Sequence, residues 1–395
     1  MPREVWITGI GLVSCAGEGL SAHEPGALSH ASDDELATFH PYCVHRLGPV
    51  DFSKQIAKTS EQRQMGMWQR IGVYAAGLAL ADTGLTGKPD VLDRTHVIVA
   101  AGNGERDCGF DAKVLESGLA EVGAERRLND ALMTGLRPTL YLGELSNLLA
   151  GNISITHHAT GSSRTFKGEE IAGVSALENA YRRISGGQGD VFLVGGALNA
   201  EREDLLLGYE LGRNLWAQAY APVWSRKSAG GGFIPGSAGA FLVLESRAHA
   251  EARGRKPYAR VRTVVTDRSR RKPGETLTTL QGLFSRLGAE AGVLAVLSGA
   301  SGVEPATSEE LTFLQGLEQQ GQKVAIRAYG SRIGHSVEAH FPAGVGLAAL
   351  SLAKGKLPAP SGEVETALEG DLSRILVTGV GHWRGEGLAL LERVS

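Results

Sequence analysis

The sequence predicts an α/β fold with a largely parallel sheet. Three observations carry this expectation. Apolar runs of 6 to 8 residues, rich in Val, Ile and Leu and several of them closing on glycine, recur along the chain. Helical patterns lie between several of these runs, and such alternation builds a sheet covered by helices. Hydrophobic residues make up 42% of the chain against 21% charged, enough for a large core and too apolar for a disordered chain.

The first expected strand is Val5–Gly11, followed by Thr95–Gly102, Asp190–Gly196 and Gly239–Glu245. Further strands are expected at Val293–Gly299, Lys323–Ala328 and Arg374–Gly381, and the nine residues Tyr258–Thr266 are strand-like. Continuous apolar runs of this length suit strands buried on both faces. Met67–Asp82 places Trp68, Ile71, Ala75 and Leu78 at three- and four-residue steps, which predicts a helix. Glu170–Ile184 is a second helix, stopped by Gly186 and Gly187, and Ala343–Leu352 is a third. The charged stretch from Ser246 to Pro257 reads as a helix and crossover, placing a boundary near 250 between halves 1–250 and 251–395.

The 395 residues carry 40 basic and 43 acidic side chains, a net charge of −3, which argues against a dedicated nucleic-acid binder. Three cysteines, Cys15, Cys43 and Cys108, make no disulfide framework and lack zinc spacing. A reducing, cytoplasmic setting is expected. No run approaches the length of a membrane span, and the start of the sequence enters an apolar strand at once, with no secretory signal pattern. A soluble protein with no membrane partner is expected.

Several familiar motifs are incomplete. Gly9-Ile10-Gly11 follows a strand without the third glycine of a dinucleotide-binding turn. Neither a phosphate-binding GxxxxGK[ST] nor a GxSxG elbow occurs. His157 and His158 are adjacent, would face opposite ways in a strand, and read as a loop or surface pair. Ser162-Ser163-Arg164 reads as a polar turn, with no general base identifiable beside it. No metal site and no cofactor are expected.

Three longer blocks are distinctive together. They are Val5-Trp-Ile-Thr-Gly-Ile-Gly-Leu-Val-Ser14, the stretch from Asn147-Leu-Leu-Ala-Gly-Asn152 to Asp190-Val-Phe-Leu-Val-Gly-Gly196, and Phe233-Ile-Pro-Gly-Ser-Ala-Gly-Ala-Phe-Leu-Val-Leu-Glu245. With them the chain resembles the β-ketoacyl-acyl-carrier-protein synthase (ketosynthase) family along essentially its whole length. The resemblance implies a thiolase fold, an αβαβα five-layer sandwich of two pseudo-duplicated halves that works as a dimer.

The family's nucleophile is a cysteine at the start of a buried helix, where the helix N-terminus helps activate the thiol. Ungapped counts forward from Asn147 and backward from Asp190 both reach Glu170 at that position. Ala300 stands where the first catalytic histidine belongs, in Gly299-Ala-Ser-Gly-Val-Glu-Pro305. Gly330 takes the lysine position, while His335 keeps the second histidine. The small gate loop of the family becomes Gly381-His382-Trp383-Arg384-Gly385-Glu386. Condensation needs a thiolate to hold the acyl chain and two imidazoles to stabilise an enolate. No intact catalytic set is left, and ordinary condensation by this chain alone is not expected.

One branch of the family lacks the cysteine: the chain-length factors, which pair with a catalytic ketosynthase and line part of its acyl tunnel. The resemblance implies such a subunit in a type II fatty-acid or polyene system, within an acyltransferase complex served by an acyl carrier protein. Very-long-chain lipid A and aryl-polyene clusters are both compatible. Two alternatives stand beside it, a malonyl-carrier decarboxylase and a homodimeric acyl-binding protein. In the family the loop after the Thr95–Gly102 strand crosses the dimer, so Glu105, Arg106, Cys108 and Phe110 are candidates for tunnel gating or for interface ion pairs. Glu105 or Asp107 should then pair with a basic group. Glu170 is expected either to block the oxyanion pocket or to serve the structure, as a helix cap or as a partner of Arg384. Arg63 and the run Arg268, Arg270, Arg271 and Lys272 are candidates for carrier docking.

Overall fold

The structure is a computed structural model that describes residues 2–28, 39–116 and 123–394. Its strands are β1 Val5–Ser14, β2 Gly17–Glu18, β3 His96–Ala101, β4 Ser163–Lys167, β5 Val191–Leu198 and β6 Ala238–Ser246. They continue as β7 Ala259–Asp267, β8 Gly292–Ser298, β9 Gln322–Ala328, β10 Arg374–Val380 and β11 Glu386–Glu392. The longer helices that organise the fold are α1 Met67–Asp82, α2 Cys108–Glu116, α3 Ala124–Gly135, α4 Leu148–His157 and α5 Glu170–Ser185. After them come α6 Glu203–Leu211, α7 Glu275–Leu287, α8 Ala306–Gly316 and α9 His340–Lys354.

The strands lie in the order β4-β3-β5-β6-β1-β7-β11-β10-β8-β9, with β2 folded back on β1. Numbered by appearance, the five long strands of the first half read 3-2-4-5-1 and those of the second 1-5-4-2-3, the same arrangement in reverse. The two half-sheets meet where Val5–Ile7 pairs antiparallel with Ala259–Val261. The expectation of a largely parallel sheet is corrected. Only β3 with β4 and β5, and β8 with β9 and β10, are parallel among the described pairings. The apolar runs report burial on both faces, which helices on each side produce whatever the strand direction.

Those helices make the layers. One apolar cluster joins Val174 and Leu177 of α5 to Val345 and Leu350 of α9, between the half-sheets. Every residue of α9 from His340 to Leu352 is buried, and each leucine there contributes about 1.5–3 kcal/mol by leaving water. A second cluster holds α1 and α4 against the outer face of the first half-sheet, and a third holds α7 and α8 against the second. The result is the five-layer α/β sandwich implied by the resemblance.

Gly9 and Gly11 lie inside β1, so they form no phosphate-binding turn. A Cβ on Gly11 would stand 1.9 Å from the carbonyl oxygen of Ala75. The two glycines let α1 approach β1 backbone to backbone. Of the adjacent histidines, His158 lies exposed in a loop as expected, while His157 is held in a helix. His157 closes α4 with Nε2 2.8 Å from the Val73 carbonyl, and His158 follows in the left-handed region. Ser163 and Arg164 are not in a turn but in the edge strand β4, since their backbone pairs with β3. The charged stretch after β6 does start as a helix, Arg247–Ala252, capped by Ser246 Oγ.

Candidate functional site

Glu170 is the first residue of α5, at the centre of the sandwich. A helix N-terminus leaves backbone N–H groups unpaired and favours an anion. Nε2 of His335 lies 2.8 Å from Oε1 of Glu170, and Nδ1 of His382 lies 2.9 Å from the same oxygen. The backbone N–H of His382 donates to it as well, at 3.2 Å. All three side chains are buried, and Oε2 of Glu170 has no hydrogen-bond partner.

Burial by itself raises a carboxyl pKa. Here the charge of His382 and the hydrogen bonds from His335 and His382 outweigh it and hold Glu170 well below the ordinary range. Burial likewise lowers His382, but the charge and hydrogen bond of Glu170 lift it above its usual value. The position therefore holds a carboxylate clamped by imidazoles. The alternative partner Arg384 is not used, because its guanidinium stacks on Trp383, 4.7 Å from the ring centroid. Glu170 does not cap the helix either; Glu169 precedes it at the N-cap and accepts from the indole N–H of Trp383.

Ala300 and Gly330 are both buried. His340, from the start of α9, lies beside them: a Cβ on Gly330 would meet its ring at 3.5 Å and the Ala300 carbonyl at 3.6 Å. Its ring stacks on His335 at 4.2 Å and on Tyr329 at 4.4 Å. Burial, and then His335, push His340 well below the ordinary imidazole value, so it is a neutral ring. Sequence reasoning missed His340, which stands five residues after His335 inside an apolar run. It also missed His382 as the partner of Glu170, having read it only as gate-loop bulk.

The loop from Gly381 to Glu386 is fastened from below. Arg271 forms a buried ion pair with Glu386 and donates to the carbonyls of Gly381, at 3.0 Å, and Gly385, at 2.9 Å. Its assignment to carrier docking is therefore corrected: the side chain is 8% exposed and fully engaged. Arg63, Arg268, Arg270 and Lys272 are exposed.

The segment 103–110, a loop that enters α2 at Cys108, makes its contacts with its own chain. Glu105 accepts the backbone N–H groups of Met67 and Trp68, both at 2.7 Å, and the Asn199 amide at 3.1 Å. It caps α1 through unpaired N–H groups of the helix start, with the charge of Arg70 near enough to act on it. Asp107 accepts the backbone N–H of Phe110 at 3.0 Å. Arg106 pairs with Asp111 on the surface at 2.8 Å. Phe110 packs over Gly135 of α3. The Cys108 thiol lies 3.6 Å from Asp204, and burial pushes its pKa up, which makes it a poor thiolate.

A cavity of about 610 Å³ opens beside Glu169, walled by Gly102, Lys167, Tyr209, Glu338 and Arg384. Among the described residues, no group of three or more His, Cys, Asp or Glu could hold a metal ion. Among the same residues, no helix is long and apolar enough to cross a membrane.

Residues 41–250, just over half of the chain, match the family described as "Beta-ketoacyl synthase, N-terminal domain". The chain belongs to the β-ketoacyl synthase family. This ketosynthase relative is similar to the 3-oxoacyl-[acyl-carrier-protein] synthase 2 of Vibrio cholerae, 26% identical over 274 residues. That match covers 66% of the chain and 62% of the relative, so the chain spans about three fifths of the length of the protein it resembles. Its fold is that of the ishigamide ketosynthase/chain length factor, with TM-score 0.78 and 19% identity over 100% of both chains. It is also that of a type II PKS acyl-carrier protein in complex with its ketosynthase bound to the hexaketide, with TM-score 0.74 and 16% identity over 100% of both chains.

Proposed function

We propose that this ketosynthase relative is a non-condensing subunit of the chain-length-factor kind. It pairs with an active ketosynthase in type II fatty-acid or polyene synthesis and contributes to the wall of the partner's acyl tunnel. The observation that carries the reading is Glu170. At the head of the central helix, where the family's nucleophile is expected, stands a carboxylate already bonded to His335 and His382. A carboxylate held as an anion by two imidazoles offers no thiol for acyl exchange, and it occupies the donors that an enolate oxygen would need. Ala300 and Gly330 supply neither a second imidazole at the expected place nor an ammonium group. The likeness in fold to a ketosynthase/chain length factor is in keeping with the proposal.

The acyl carrier protein is expected to dock on the catalytic partner. The exposed basic residues Arg63, Arg268, Arg270 and Lys272 are left as secondary contacts on this chain. The test is co-expression with the ketosynthase encoded beside it, purification through a tag on this chain alone, and native mass spectrometry. A one-to-one complex is expected. A homodimer that leaves the neighbouring synthase behind would overturn the proposal.

A further inference from the structure

The cavity beside Glu169 is unusually polar for a hydrocarbon site. Small-molecule sites of a few hundred Å³ are mostly apolar, with few polar groups. Here the wall carries Lys167, Arg202, Tyr209, Glu338 and Arg384. Arg202 is already committed, to the Asp204 carboxylate and to the Gly104 carbonyl at 2.9 Å. Glu338 is different. It is 5% exposed, and its carboxyl lies over Gly102, where a Cβ would meet Oε1 at 2.2 Å. The glycine is what lets that carboxyl reach the cavity.

Burial, with the negative charges of Glu170 and Glu169 behind it, pushes Glu338 up to about 8. At neutral pH it is a carboxylic acid, with an O–H to donate. Tyr209 stands in the same wall, its ring against Phe233 at 4.7 Å and His382 at 5.5 Å. Burial, and then the charge of Glu338, raise its hydroxyl far above the ordinary value, so it too is a neutral donor. Two uncharged O–H groups thus converge on a walled space, with the cations Lys167 and Arg384 beside them and the Glu169 carboxylate engaged by the Trp383 indole N–H. A saturated chain would strip water from these donors and return nothing; one donor left so costs about tenfold in affinity.

We propose that the cavity binds an acyl chain bearing carbonyl or hydroxyl oxygens, which Glu338 and Tyr209 recognise by donating hydrogen bonds, in preference to a saturated chain. This rests on the acyl-tunnel reading above and names the class of chain that reading leaves open.

The test uses the full chain in complex with its ketosynthase and two probes of equal length, the octanamide and the 3-oxo-octanamide of pantetheine, measured by isothermal titration. The oxo probe is expected to bind about tenfold more tightly. Glu338→Leu should remove most of that preference. Glu338→Gln, which still donates, should keep much of it. Tyr209→Phe, which deletes a single oxygen, should lower the preference severalfold without disturbing the fold. The proposal is overturned if the octanamide binds as tightly, if neither probe binds, or if the preference survives both Glu338→Leu and Tyr209→Phe. If no complex forms, the partnership has failed separately, and the same titration on the chain alone still decides the preference.

Discussion

Nε2 of His335 lies 2.8 Å from Oε1 of Glu170, with the two side chains 2% and 3% exposed. The contact ties the first residue of α5 to the short turn before α9, so it joins the two halves at their centre. A carboxylate there is stable only because His382 and His335 repay its desolvation.

Removal of that carboxylate should therefore be costly. Glu170→Ala leaves His382 and His335 buried without their acceptor and is expected to cost about 3–5 kcal/mol. Glu170→Gln keeps the shape and an acceptor oxygen and should cost less. Urea titration of the variants against the parent chain checks both, and equal midpoints for all three would contradict the clamp.

Restoring a thiol should not restore chemistry. Glu170→Cys supplies a nucleophile at the helix N-terminus, but Ala300 and Gly330 still lack their functional groups. Alkylation by iodoacetamide with no elongation of malonyl-carrier is expected. Measurable condensation by this variant alone would show that the missing groups are dispensable.

Stability should fall on both sides of mildly acidic pH. His382 is held above the ordinary imidazole value of 6.5, so its contribution is complete below that pH and is lost as pH rises through its folded value. Glu170 is held below 4.5, so its share is complete above that pH and lost as pH falls. Glu338, pushed up to about 8, costs the folded state progressively more between pH 4.5 and 8. His340, held below its ordinary value, costs the folded state progressively more as pH falls below about 6.5, so melting temperature is expected to peak near pH 6.5 and to decline toward pH 9. His382→Phe should flatten the alkaline decline without abolishing it. A melting temperature that rises steadily to pH 8 would contradict these assignments.

Arg271 should hold the 381–386 loop in place. Arg271→Ala strands Glu386 in the interior and frees the carbonyls of Gly381 and Gly385, with an expected loss of about 3–5 kcal/mol. Limited proteolysis should then cut between 381 and 386. Unchanged resistance to cleavage would mean that the loop is held by something else.

Glu105 should matter to α1 more than to any partner. Glu105→Ala removes the acceptor from two helix N–H groups and is expected to cost about 1–2 kcal/mol in a urea titration. No change on this substitution would argue that the carboxylate serves an interface.

What the sequence revealed follows the range of the forces involved. The bounds of α1 were legible because its apolar spacing, from Trp68 to Leu78, is local. So was the place of Glu170, since the residues on either side run without a gap between two strong blocks. Strand direction was not legible, because a run such as Gly239–Glu245 is equally apolar in an antiparallel sheet once both faces are covered. Arg271 was hidden by exposed basic neighbours; its burial depends on carbonyls 110 residues away. The capping role of Glu105 was not legible, because its partners are backbone N–H groups 37 and 38 residues distant. His340 sits in an apolar run and takes its meaning only from His335 and Ala300 packing against it.

The most direct test of the central claim is elongation of malonyl-carrier by this chain alone, by its complex with the neighbouring ketosynthase, and by the same complex with the partner's nucleophilic cysteine replaced by alanine. Product from the intact complex only is the expected result. Product from this chain alone, or from the complex with the disabled partner, would contradict the account.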